Sequence, residues 1–97
     1  MKYVVYGLTS VLTSSAAASA VLRYAVALGQ SGSSDLVAIP AVDIAGVPIA
    51  VEVVLGPGVP VLAEPAADDV LEPEHREFVD ELDERARTVL ARRAERA

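Results

Sequence analysis

Ser10, Thr13 and Ser14 follow a run of strand-forming residues and precede an apolar stripe at helical spacing, a place where hydroxyls can meet an anion or a substrate. A strand, a glycine (Gly7), clustered hydroxyls and a helix N-terminus are the parts of a phosphate cradle, because unpaired N–H groups and the helix dipole favour negative charge. Gly7 to Ser15 nevertheless lacks the G-x-x-x-x-G-K-[ST] pattern and any nearby lysine. The hydroxyls therefore serve better as helix caps, accepting from orphan N–H groups. Ser14 and Ser15 have no base beside them in sequence, and no G-x-S-x-G elbow is present. His75, the only histidine, sits between Glu74 and Arg76 in an expected exposed first turn of the last helix. A His–carboxylate couple can move protons, but no second histidine and no cysteine completes a metal site. Asp68, Asp69, Glu72 and Glu74 cluster without the spacing of an EF-hand loop. The residues predict no catalytic centre, no metal and no cofactor, so an enzyme is the lesser expectation.

The elements around these residues follow from periodicity. Tyr3, Val4, Val5 and Tyr6 favour a strand that Gly7 ends. Val11, Ala18, Leu22, Ala25 and Leu28, widened by Val21, recur at helical spacing, and Gly29 is placed to stop that helix. After the polar turn at residues 30–34, residues 36–43 read as a strand interrupted by Pro40. Residues 47–55 alternate, with Val47, Ile49, Val51, Val53 and Leu55 on one face, and residues 59–63 make a short further strand. Pro40, Pro48 and Pro60 cannot donate ladder hydrogen bonds and belong at edges, strand starts or bulges. Residues 73–97 read as an amphipathic helix, with Pro73 in its first turn, acids near its start and Arg92, Arg93 and Arg96 near its end. Phe78, Leu82, Ala86, Val89 and Ala94, joined by Val79 and Leu90, mark its apolar stripe.

Composition narrows the function classes. Ninety-seven residues make one domain, here an apolar α+β core (1–63), an acidic linker (64–72) and the helix (73–97). The net charge of −6 is uneven: from Glu64 onward there are eleven acids against six arginines, while the earlier residues are nearly uncharged. An acidic chain without a basic patch predicts no nucleic-acid partner. The absence of cysteine fits a reducing compartment, and a cytoplasmic location is expected. The uncharged run from Tyr3 through Leu22 has the length of a membrane span, but its many hydroxyls keep it only moderately hydrophobic, so membrane association is not the expectation.

The expected fold is α+β, a small, mostly antiparallel sheet in the order β-α-β-β-β-α with a Ser/Ala-rich helix and a long charged C-terminal helix. The expected function is non-catalytic: a small interaction protein that forms a homo-oligomer or binds a protein partner, with Phe78, Leu82, Ala86, Val89 and Leu90 at the interface. The alternatives are a small-molecule or anion binder, or an enzyme, using Ser10, Thr13 and Ser14, and a membrane-associated protein anchored by Tyr3 to Leu22.

Overall fold

Gly7 turns the first strand, β1 (Lys2–Tyr6), straight back into a second, β2 (Thr9–Thr13), instead of into a helix. Tyr6 pairs with Thr9, so the loop is only Gly7 and Leu8, and Gly7 alone there has a positive φ, 62°. Two-residue hairpin loops favour glycine at their first position for this reason. Val11 therefore belongs to β2, where it pairs with Val4 in the core. Its seven-residue separation from Ala18 only mimics helical spacing, and the observed order is β-β-α-β-β-β-α. The computed structural model describes residues 1–67 and 71–96.

The first helix, α1 (Ser15–Ser31), starts at Ser14, whose extended backbone and Oγ, accepting from Ala17 N at 3.1 Å, make the N-cap. It does not stop at Gly29. Gly32, left-handed at φ 63°, is the C-cap, and Ser33 N donates to Leu28 O at 3.0 Å. Next come β3 (Asp35–Val42), β4 (Pro48–Leu55) and β5 (Val61–Pro65). Glu64 and Pro65, assigned above to an acidic linker, are the end of β5. The last helix, α2 (Arg76–Arg96), begins three residues later than Pro73 suggested, because His75 before it adopts φ 51°.

The five strands form one antiparallel sheet in the order β4-β3-β2-β1-β5. Alternation sends Val4, Val11, Val37, Ile39 and Leu55 to the face covered by the helices. Ala17, Ala18, Ala20 and Ala27 are buried along α1, and their small side chains let the helix lie close to the sheet. The two helices run side by side in the same direction: Ser14 meets His75, Arg23 meets Asp83 and Ser31 meets Val89. The sheet is strongly curled. The Tyr6 hydroxyl donates to Val54 O on β4, although two strands separate β1 from β4 in the sheet order.

Candidate functional site

The structure does not bring the three hydroxyls to one pocket. Ser10 is exposed and lines an apolar groove of about 380 Å³ where β2 and β3, paired only at Leu12 and Val42, diverge. Thr13 is buried, and its Oγ1 donates to Pro40 O at 2.5 Å. Ser14 is sealed from solvent, with Oγ 2.7 Å from Nδ1 of His75. His75 is thus half-buried ahead of α2 and not exposed within it. No spacing signal announces a partner 61 residues away.

Glu72 completes this cluster by accepting from Ser15 N at 3.0 Å with Oε2 and from the chain's α-amino group with Oε1. Those bonds, the amine first, hold its carboxyl below the usual range. Burial lowers the His75 pKa, and the charge of Glu72 opposes that shift. Ser14 Oγ also accepts from Ala17 N, and the direction of its bond with Nδ1 of His75 follows the tautomer of the ring. A nucleophile needs an open approach, and this serine has none. The cluster is a clamp that ties the segment before α2 to the start of α1. The Asp68 and Asp69 part of the acidic group lies outside the described residues. Among the described residues no group of three potential metal ligands comes together.

A second polar network joins the middles of the two helices to the start of β3. Tyr24 OH donates to Asp35 at 2.5 Å, and Arg85 reaches the same oxygen at 3.1 Å while its Nε bonds Glu81. Burial, followed by the bond to Asp35, pushes the Tyr24 pKa up to about 12, so this phenol stays a donor. These groups border a cleft of about 390 Å³ between α1, α2 and β3, with Ser31, Ser33 and Thr88 on its walls.

The stripe of α2 is spent within the chain. Leu82 is buried in the core, and Phe78, Ala86 and Val89 pack against it. Leu90, 39% exposed, and Ala94 face outward. With Val89 opposite Ser31, residues 90–96 extend about 10 Å past the end of α1.

Exposed apolar side chains occur on the β3–β4 ribbon, as they also do at Val26 on α1 and Leu62 on β5. Leu36 and Val54 are each 54% exposed on its outer face, and Ile49 is 41% exposed although it points toward the helical side. Val47 and Ile44 are exposed in the connecting turn, at the opposite end of the ribbon from Leu36 and Val54. The backbone pattern of this ribbon is set at its turn, where Asp43 N donates to Val47 O at 3.0 Å. Hydrogen-bonded pairs then alternate outward from it: Ala41 with Ile49, Ile39 with Val51, Val37 with Val53. Pro40 falls at a position where β4 asks for no N–H. By the same alternation, the backbone groups of Ala50, Glu52 and Val54 point to the free edge of β4, and Val54 O is the one that Tyr6 takes.

Residues 3–22 span β1, β2 and the first half of α1, and among the described residues no helix is long and apolar enough to cross a membrane. The fold and its surfaces define a small two-layer α+β domain. The chain matches no protein family, no curated protein and no solved structure with which it was compared.

Proposed function

We propose that this protein is a non-catalytic assembly module that associates with itself through the β3–β4 ribbon. The apolar exposure of that ribbon, from Leu36 to Val54, is the observation that carries the reading. Surface area supports it. The chain exposes 6070 Å² at a mass of 10.1 kDa, whereas a compact monomer of that mass exposes about 5300 Å². The excess of about 800 Å² is the size of one side of a standard protein interface. The reading places the main contact away from the α2 stripe, whose Phe78, Ala86 and Val89 pack against the core and whose Leu82 is buried in it. Light scattering across micromolar concentrations is expected to give twice the chain mass, and Leu90→Asp is expected to leave that mass unchanged. A chain mass throughout, or a loss of assembly in the Leu90 variant, overturns the reading.

A further inference from the structure

The free edge of β4 is its own complement, and we propose that two copies of this chain join there as an antiparallel strand pair centred on Val51. This rests on the self-association reading for its occupant, a second copy. The pairing itself is argued from the backbone groups of the edge, because Leu36 and Val54 on the outer face stay uncovered in it. Along that edge the open groups are the N–H and C=O of Ala50 and of Glu52, the C=O of Pro48 and the N–H of Val54, since Val54 O is occupied by Tyr6 and Pro48 has no N–H to give. An antiparallel copy can be set against them in three central registers. Centred on Glu52, two carboxylates lie opposite one another, which is repulsive. Centred on Ala50, Glu52 faces Pro48 of the second copy, and its C=O finds no donor. Centred on Val51, Ala50 of each copy faces Glu52 of the other, every open donor meets an open acceptor, and Glu52 stays on the solvent side opposite a small residue.

The other edge is closed to such pairing. β5 is short, with Pro60 just before it and Pro65 at its end, devices that blunt sheet edges. β4 carries eight residues, one proline at its first position and a single charge, Glu52. Stacking the outer faces of two ribbons is disfavoured by the same Glu52, which lies on that face opposite Ala38 and would be buried without a cation. A twofold strand pair leaves it in water.

The chain has no cysteine, so single-cysteine variants report the register directly. In the proposed pair the two Val51 positions face each other without mutual hydrogen bonds, a Cα separation of about 4.5 Å that a disulfide spans. Val51→Cys is expected to convert to the covalent dimer under mild oxidation. Ala50→Cys and Glu52→Cys should remain uncrosslinked, because each of these residues lies diagonally from its own copy, about 7–8 Å away. Glu52→Pro removes an N–H that β3 does not use, and should give a monomer with an unchanged far-UV spectrum. A wild-type dimer in which Val51→Cys fails to cross-link, or a Glu52→Pro chain that keeps twice the chain mass, overturns the edge pairing while leaving self-association standing. A wild-type chain that is monomeric at every concentration overturns both. The cross-link pattern decides the register independently of how Glu52→Pro folds.

Discussion

Ser14, His75 and Glu72 show how residues that could do chemistry are used for closure instead. Ser14 caps α1, and its second bond, to His75, holds the chain where α2 begins. His75 is held at φ 51°, a region that suits glycine and, among other residues, Asn, Asp and His. Burial holds the folded pKa of His75 below its ordinary 6.5, so the unfolded chain takes up the proton first. The stability that this residue contributes is therefore complete above the unfolded value and declines as pH falls below it. Glu72, also depressed, acts in the same direction at lower pH, where its carboxylate protonates. His75→Asn tolerates the left-handed backbone and offers Ser14 a polar partner without titrating. The urea midpoint of the wild type is expected to fall between about pH 7 and pH 5, and that of His75→Asn to fall less. Equal slopes for the two proteins would show that the ring does not carry the effect.

At the scale of elements, α1 is the organising piece. It touches β1, β3, β5 and α2, and its approach depends on alanines with almost no exposure. Ala18, 1% exposed, has no room for a longer side chain. Ala18→Leu is expected to destabilise the fold by about 1–3 kcal/mol through overpacking, read from denaturant midpoints. An unchanged midpoint would mean that the contact between α1 and the sheet is looser than its burial implies. The helix α2 was legible as an amphipathic element because its period is unbroken from Phe78 to Val89. Its partner was not legible, since a stripe looks the same whether it faces a neighbouring helix or a second chain. The hairpin of β1 and β2 was hidden by Val11, whose spacing from Ala18 fits a helix as well as chance.

Over the whole molecule, two helices cover one face of a curled sheet and leave the β3–β4 ribbon exposed. A shape of 46 × 27 × 19 Å is long for this chain, and the overhanging end of α2 adds to the length. If the surplus surface is covered by a second copy, association and folding are coupled. The thermal midpoint should then rise with protein concentration, because mass action stabilises whatever the folded state alone can bind. A midpoint constant over a hundredfold range of concentration would contradict the coupling.

What the sequence by itself determined is local. The α+β class, the alternation of β4, a hydroxyl cap at the start of α1 and the amphipathic α2 all follow from neighbours a few residues apart. Hydrogen-bonding patterns and side-chain periods act over that range, so the residues in it carry their own instructions. The tertiary structure decided what depends on distant pairs: that Ser14 meets His75, that Leu82 of the α2 stripe is buried in the core, and that β4 ends the sheet with a free edge. Those outcomes turn on which of several equally apolar faces come together. That choice belongs to the packing of the whole chain, where burial is shared among all the faces at once and no single segment specifies it.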